Sequence, residues 1–244
     1  MVPAVSYLYL SVGVCSFGLR HFLVCLQDGA STAYLLLYVD DIVLSALSTD
    51  WLHSIIGRLH AEFAMIDLGD LHHFLWIFLT YSSDGLFLSQ RQYALDLLQH
   101  DGMSECHSTL TPVDSKSKLS ITDGPLVVDS SDYRSIVGAL QYLTLTRLDL
   151  AYVVQQVCLF MHDPRKAHLA LVKQVLRYVK GTLDVGLHLG VGPVDTLTSY
   201  SDADWAGCTD SRHSTSGYCV CFGDNLVSWS SKPQITDSRS SAEA

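Results

Sequence analysis

The feature that most constrains how this chain can fold is a pair of adjacent aspartates between two short aliphatic runs. Residues 34–47 read YLLLYVDDIVLSAL. Each run has the length and aliphatic composition of a buried strand. Adjacent residues in one strand point to opposite faces of a sheet, whereas a turn at the pair lets both carboxylates reach one site. The segment therefore predicts a β-hairpin with Asp40 and Asp41 at its turn.

The paired carboxylates indicate a possible divalent-metal site. At about 4 Å in a partly shielded site, two like charges repel by about 4 kcal/mol, and a bound cation would offset that repulsion. Hard oxygen ligands suit Mg²⁺, and carboxylate-held Mg²⁺ pairs serve phosphoryl transfer. The alternative is a solvated Asp-Asp turn that binds nothing. From these residues alone, both interpretations stay open.

The composition indicates a folded chain without an overall electrostatic affinity for nucleic acid. Of its 244 residues, 48% are hydrophobic, and 25 acidic residues outnumber 15 basic ones. The hydrophobic content excludes wholesale disorder. The net charge of −10 argues against binding nucleic acid through overall charge alone. The seven cysteines form no CxxC pair, so neither a disulfide framework nor a zinc finger is expected.

The first 19 residues carry no charge, and this stretch admits two interpretations. It approaches the length of a membrane span, but it has neither a basic start nor an Ala-x-Ala cleavage signal. The favoured interpretation is a buried segment whose partner elements lie upstream and are missing. No membrane association is expected.

Helical and strand-like patterns alternate along the rest of the chain. Helices are predicted over residues 49–65, 89–100, 131–146, 149–162 and 165–180. Strands are predicted over residues 71–80, 85–89, 197–202, 216–222 and 226–230. Residues 103–129 show little periodicity and are predicted to form a loop or linker. The Gly-Val-Gly-Pro sequence at 190–193 marks the clearest boundary.

One predicted helix carries a basic face. Residues 165–180 contain no acid, and Lys166, Lys173, Arg177 and Lys180 recur at spacings of 7, 4 and 3. These spacings place the four side chains on one face of a helix. Such a stripe could contact phosphates with a salt-dependent affinity. The alternative is the solvated face of an ordinary amphipathic helix.

A series of motifs carries a family resemblance. They are YVDD at 38–41, EFAMIDLGDLHHFL at 62–75, YRSIVGALQYLTLTRLDLAYVV at 133–154, LRYVKGTLDVGLHL at 176–189, SYSDADWAG at 199–207 and SWSSKPQITDSRSSAEA at 228–244. In this order they resemble the Pol polyprotein of copia-type LTR retrotransposons, over about residues 34–244. Residues 1–33 match poorly.

The resemblance implies an α+β fold in four segments. Residues 1–33 would be a diverged remnant, and residues 34–102 a partial reverse-transcriptase palm with the start of a thumb. Residues 103–189 would form a linker and a helical thumb or connection region. Residues 190–244 would be the N-terminal part of a ribonuclease H-like sheet. Implied partners are Mg²⁺ or Mn²⁺, RNA–DNA hybrid, deoxynucleotides and an intact polymerase chain, in a cytoplasmic virus-like particle or the nucleus.

The resemblance also assigns residues to roles. Asp40 and Asp41 would be metal ligands of the polymerase, and Tyr38 would lie beside the primer end. Asp202 and Glu243 would be the first and second ribonuclease H carboxylates. From the residues alone, Asp202 with Asp204 fits either a metal site on one strand face or a turn. Glu243 lies three residues after Ser240, a spacing that also matches a helix capping box.

The resemblance implies further acids that this chain lacks: one aspartate upstream of YVDD and two acids after Glu243. We therefore expect the chain alone to catalyse neither DNA synthesis nor RNA cleavage efficiently. The alternatives are a remnant that binds nucleic acid or a polymerase without catalysis, and a non-functional translation product. Trp76 stands where the family has a small glycine, and overpacking of about 1–3 kcal/mol is expected there.

Overall fold

A computed structural model describes residues 4–10, 21–29, 31–113, 119–204 and 206–234. The chain divides into two compact units, Met1–Leu75 and Trp76–Ala244. Both contain helices and strands, which confirms the α+β class. No helix within the described ranges is long and apolar enough to cross a membrane. The four segments implied by the resemblance stay a prediction, since the contacts divide the chain at a different point.

The first unit is a five-stranded antiparallel sheet with one helix. Its elements are β1 (Ala4–Leu10), β2 (His21–Asp28), β3 (Ser31–Tyr38), β4 (Asp41–Ala46), α1 (Thr49–Glu62), β5 (Met65–Asp70) and the short β6 (His73–Phe74). The sheet order is β2-β3-β4-β1-β5. Strand β1 pairs with β4 and β5, so its partners lie downstream. The expectation of upstream partners was wrong for these seven residues.

The core of the first unit lies between α1 and the sheet. Leu35, Ile42 and Leu44 face the helix residues Leu52 and Ile55, and all five are buried. The Ser48 hydroxyl accepts a hydrogen bond from the Trp51 N–H at 3.5 Å, so Ser48 caps the helix. The helix ends at Glu62, three residues earlier than predicted, and the backbone turns extended at the exposed Phe63.

The second unit combines helices with two groups of strands. Strands β7 (Ile77–Ser82), β8 (Gly85–Ser89) and β9 (Leu187–Gly190) lie side by side in that order. The helices are α2 (Arg91–His100), α3 (Ser130–Leu143), a 3-10 turn (Leu148–Leu150), α4 (Ala151–Cys158) and α5 (Lys166–Gly181). A three-stranded antiparallel sheet follows in the order β10 (Leu197–Asp204), β11 (Thr215–Phe222) and β12 (Asn225–Pro233).

Apolar side chains from all four helices form the core of the second unit. The buried Leu98, Leu140, Val157 and Val175 represent α2, α3, α4 and α5 in this cluster. Tyr133 is fully buried, and its hydroxyl donates to the Val157 carbonyl at 2.8 Å. A tyrosine can fill a core in this way because its hydroxyl keeps a hydrogen-bond partner.

The described part of the linker, residues 103–113 and 119–129, contains no helix but packs against α5. His168 is fully buried on α5 and stacks on Phe160 with 3.7 Å between ring centroids. Its Nε2 bonds the Ser120 carbonyl at 2.9 Å, and its Nδ1 accepts from the Arg165 N–H at 3.0 Å. The Arg165 guanidinium donates to the Gly124 carbonyl at 2.9 Å. The linker therefore belongs to the folded unit.

The position of Trp76 favours glycine because of its backbone conformation. Leu75 and Trp76 form the turn between β6 and β7, with φ of +47° and +63°. This left-handed conformation is unfavourable for residues with a Cβ and favours glycine. The Trp76 side chain is half exposed, so the expected overpacking was wrong. The strain lies in the backbone.

Candidate functional site

The aspartate pair lies at the tip of the β3–β4 hairpin. Tyr38 pairs with Asp41 across the two strands, which leaves Val39 and Asp40 as the turn. The predicted hairpin is present, and its turn lies one residue earlier than predicted. Val39 has φ of +53° and is 62% exposed. A β-branched residue in the left-handed region is a strained outlier, and strain of this kind clusters at functional sites.

The hairpin places three candidate residues at one end of the sheet. Asp40 lies in the turn, Asp41 begins β4, and both are partly exposed. The Tyr38 ring meets Phe74 edge to face with 6.1 Å between centroids. The two carboxylates are hard oxygen donors, which fits the chemistry that Mg²⁺ prefers. Over the ranges that the structure describes, no group of three or more His, Cys, Asp or Glu side chains is placed to hold a metal.

Asp202 and Asp204 lie on β10, opposite Gly217 and Thr215 of β11. Asp202 is exposed, and its carboxylate accepts a hydrogen bond from the Ala203 N–H at 2.9 Å. The Asp204 carboxylate accepts from the Thr215 N–H, and from the Tyr152 hydroxyl at 3.4 Å. A Cβ at Gly207 would collide with that carboxylate. The Asp204 carboxylate therefore stabilises the local fold, whereas the Asp202 side chain is exposed to solvent.

An open groove of about 670 Å³ passes both aspartates within the second unit. Its walls come from β10, β11 and β12 and from the start of α4, with Tyr152 on the helical side. Burial raises the pKa of Tyr152, and the nearby Asp204 carboxylate raises it further. The Tyr152 hydroxyl thus stays a proton donor at neutral pH. Glu243 lies outside the described residues, so its pairing with Asp202 stays a prediction.

The basic stripe lies on α5 as predicted. Lys166 and Lys173 are exposed, while Arg177 and Lys180 are partly exposed. The opposite face of the helix is buried in the core of the second unit, which confirms the amphipathic pattern. Among the described residues, none of the four basic side chains takes part in an ion pair within 4 Å. Their charge is therefore available to a partner.

A buried polar network surrounds Arg147 and was not predicted from the sequence. This arginine is 3% exposed, and its guanidinium pairs with Asp149 through two short contacts of 2.9 and 2.7 Å. It also donates to the carbonyl and hydroxyl of Thr182 at 2.9 and 2.7 Å. The Tyr178 hydroxyl donates to Asp149 at 2.9 Å. The Arg-x-Asp spacing within TRLDL was the available signal.

The charge of Asp149 depends on this network. Burial raises the pKa of its carboxyl, but the hydrogen bonds and positive charge of Arg147 outweigh burial, so the pKa lies below its usual range. The pair is therefore charged at neutral pH. These contacts join the start of α4 to the end of α5 and mark a structural role for both residues.

Comparison with known proteins gives the chain relatives along most of its length. A family model described as reverse transcriptase (RNA-dependent DNA polymerase) matches residues 15–115. This match begins upstream of residue 34, so part of the 1–33 segment belongs to the similar region. An uncharacterized mitochondrial protein of Arabidopsis thaliana is 49% identical over 210 residues, 86% of this chain and 87% of that protein.

Two further relatives carry transposon names. The retrovirus-related Pol polyprotein from transposon RE1 of Arabidopsis thaliana is 44% identical over 90% of this chain, which spans only 15% of the polyprotein. The putative transposon Ty5-1 protein of Saccharomyces cerevisiae is 31% identical over 91% of this chain and 72% of its own length. No solved structure matches the chain.

Proposed function

The chain belongs to the reverse-transcriptase family of retrotransposon Pol polyproteins, and we propose that it is a fragment of a copia-type RNA-directed DNA polymerase with ribonuclease H. The observation that carries the proposal is the β3–β4 hairpin, which holds Tyr38, Asp40 and Asp41 at one end of a sheet within the region matched by the reverse-transcriptase model. The parental reaction in this proposal is phosphoryl transfer on an RNA–DNA hybrid.

In the polymerase site, Asp40 and Asp41 would hold Mg²⁺ or Mn²⁺. Such ions, when bound, stabilise charge on the attacking and leaving oxygens. Tyr38 pairs with Asp41 across the hairpin, and the family resemblance implies that its side chain would lie beside the primer end. In the ribonuclease H site, Asp202 would be one ligand on the open groove and Glu243 a second.

Catalysis by this chain alone is not part of the proposal. A two-metal site needs more ligands than the two carboxylates that the hairpin brings together. Primer extension on an RNA template with Mg²⁺ or Mn²⁺ tests this, beside Asp41→Asn. We expect equal, background incorporation from both proteins. Metal-dependent extension that is lost in Asp41→Asn would show that the chain is a polymerase by itself and would overturn the inactivity.

The metal-ligand roles have a test that does not need activity. Mn²⁺ binding to the intact chain, followed by electron paramagnetic resonance, should weaken in Asp41→Asn. Asp50→Asn, which removes an exposed aspartate in the first turn of α1, is the matched control and should bind Mn²⁺ as the parent does. Equal binding by all three proteins would contradict a metal site at the hairpin.

A second candidate function is binding of RNA–DNA hybrid without catalysis, and the unpaired basic stripe on α5 favours it. The affinity for hybrid should fall with salt, because bound phosphates release counterions. Replacing Lys173 and Arg177 together by Ala should reduce the slope of log affinity against log salt by about 2. The matched control, Arg91→Ala with Arg134→Ala, removes the same charge away from the stripe.

Three outcomes separate the remaining interpretations. A parental slope near zero would remove the nucleic-acid function, and equal slopes in both double variants would assign binding to another surface. A nucleic-acid-independent association with an intact polymerase chain would favour a partner-binding remnant. A non-cooperative thermal melt of the parent would favour a non-functional translation product.

A further inference from the structure

Residues 119–127, the last described part of the linker, form a strap that crosses the start of α5. Backbone hydrogen bonds hold the later part of this strap. The Val127 N–H donates to the Pro164 carbonyl at 3.0 Å, and the Lys166 N–H donates to the Pro125 carbonyl at 3.0 Å. These hydrogen bonds join main-chain groups, which do not titrate. This attachment therefore does not depend directly on pH.

Side chains hold the earlier part of the strap, and they come from two directions. From α5, the His168 Nε2 bonds the Ser120 carbonyl at 2.9 Å. From residues 206–214, which lead into β11, the Asp210 carboxylate accepts hydrogen bonds from the Ser120 hydroxyl at 2.6 Å and from the Ile121 N–H at 2.8 Å. Ser120 therefore joins the helix to the loop between β10 and β11.

The two hydrogen bonds of the His168 ring fix its protonation state. The Ser120 carbonyl can only accept, so Nε2 carries the ring proton. The Arg165 backbone N–H can only donate, so Nδ1 carries none. The neutral ring is fully buried and stacked on Phe160. A second proton on Nδ1 would point at the Arg165 N–H, and two donors cannot form a hydrogen bond with each other.

Charged groups around the ring act in both directions. Burial is the largest effect and lowers the pKa of His168 below its ordinary value. The Arg165 cation lowers this pKa further, whereas Asp123 of the strap and Asp163 before α5 raise it. Hydrogen bonds from the strap lower the pKa of Asp210, and the His168 charge lowers it further, so this loop carboxylate also faces the ring. On balance, the ring takes its second proton only in acid.

We propose that a second proton on the His168 ring releases residues 119–123 from α5 and, through Asp210, loosens the loop between β10 and β11. Residues 125–127 stay attached through their backbone hydrogen bonds. The stabilisation of the closed strap is fully present above about pH 6.5 and is lost as pH falls through the lower pKa of the folded state. The proposal concerns conformation and does not depend on the polymerase or hybrid-binding function.

Hydrogen exchange of the full chain, corrected for the effect of pH on intrinsic exchange, tests the proposal without substitutions. Protection of the Ile121 amide, which donates to Asp210, and of amides in residues 206–214 should be constant above about pH 6.5. Below that pH it should fall by up to about tenfold per pH unit until the folded pKa is reached. A response at Ile121 without one in residues 206–214 would overturn the coupling through Asp210.

Urea distinguishes local release from global unfolding. Low urea concentrations should not change the exchange of Ile121, because local opening exposes little surface. If Ile121 had the same protection and urea dependence as the amides of α3, the whole unit would be unfolding, and local release would be overturned.

A pair of histidine variants assigns the pH response to one ring. His168→Gln removes the titrating group and should give a protection of Ile121 that does not change with pH. His162→Gln is the matched control, because this exposed histidine lies shortly before α5, and it should keep the parental profile. Circular dichroism checks that both variants fold. A parental protection that stays constant between about pH 7.5 and pH 5, or a fall that persists in His168→Gln, overturns the proposal.

Discussion

The two units of this chain bury their side chains in different ways. In the first unit, one helix packs on one sheet, and a recess of about 480 Å³ lined by Leu35, Trp51 and Ile55 remains beside the helix. The Trp51 indole N–H is buried there without a hydrogen-bond partner among the described residues. In the second unit, helices enclose the core, and the buried arginine, histidine and glutamine side chains are paired.

The residues that stabilise the fold are distinct from the residues that carry candidate chemistry. The buried polar groups of the second unit join α2, α3, α4 and α5. The candidate site residues Tyr38, Asp40, Asp41 and Asp202 lie at a hairpin tip or on an open strand, outside both cores. The resistance of each unit to substitution should therefore follow its packing, independently of its proposed role.

The largest expected effect compares two fully buried leucines, Leu140 in the second unit and Leu44 in the first. Leu140→Ala should destabilise by about 4–5 kcal/mol, because the surrounding helices cannot collapse into the cavity. Leu44→Ala should cost about 2–3 kcal/mol, since the sheet core beside the recess relaxes more easily. Native-state hydrogen exchange, resolved by unit, measures both values. A larger loss for Leu44→Ala would break the comparison.

The next effect concerns buried ion pairs. Arg147→Ala should destabilise the second unit by about 3 kcal/mol, because it leaves the partly buried Asp149 carboxylate without its cation. Arg91→Ala breaks a pair with Asp184 that is mostly exposed and should change stability by less than about 1 kcal/mol. Urea unfolding compares the two variants. Equal losses in the free energy of unfolding would mean that burial does not determine how much these ion pairs contribute to stability.

A smaller effect is a dependence on pH that belongs to the second unit. Burial lowers the pKa of His168 below its ordinary value of about 6.5, because desolvation penalises the charged ring. The stabilisation by the neutral ring is fully present above about pH 6.5 and is lost as pH falls through the lower folded pKa. His168→Gln should flatten the stability profile in this window, while exposed His162→Gln should not.

The smallest expected effect is a gain. Val39→Gly should stabilise the first unit by about 1 kcal/mol, since glycine adopts the left-handed turn without strain and little buried surface is lost. Val24→Gly is the matched control, an exposed valine in the regular strand β2, and should cost about 1 kcal/mol. Thermal melts distinguish the signs. Destabilisation by Val39→Gly would show that the turn is not strained.

The β3–β4 hairpin shows how much of the fold a local sequence pattern can predict. The aliphatic runs at 34–47 correctly predicted two strands and placed the aspartates at their turn. The exact turn lay one residue earlier, because a valine with positive φ contradicts local preference and is imposed by strand pairing. The helices of the second unit were predicted from their periodicity, although α3 and α4 end three and four residues earlier than expected.

Elements that depend on distant partners were missed. Strand β5 reads MIDLGD, which is acidic and exposed, and only its pairing with β1 identifies it as a strand. Strand β9 similarly depends on β8, about a hundred residues earlier in the chain. The Arg147 network was not predicted because its members come from two distant stretches of sequence, residues 147–149 and 178–182. Sequence patterns placed the candidate carboxylates, but they could not show which polar residues the fold buries.

The Arg147 network also restricts how copies of this sequence can change over time. Losing Arg147 or Asp149 singly leaves a buried or partly buried charge without its ion-pair partner, whereas replacing a buried charged set together by apolar residues can be neutral. A sequence that has lost only one member of the ion pair should therefore be less stable than a sequence that keeps both or has replaced both. Among diverging copies under selection for folding, these two positions should be retained together or replaced together, and a copy with one of them missing marks a sequence no longer held to its fold.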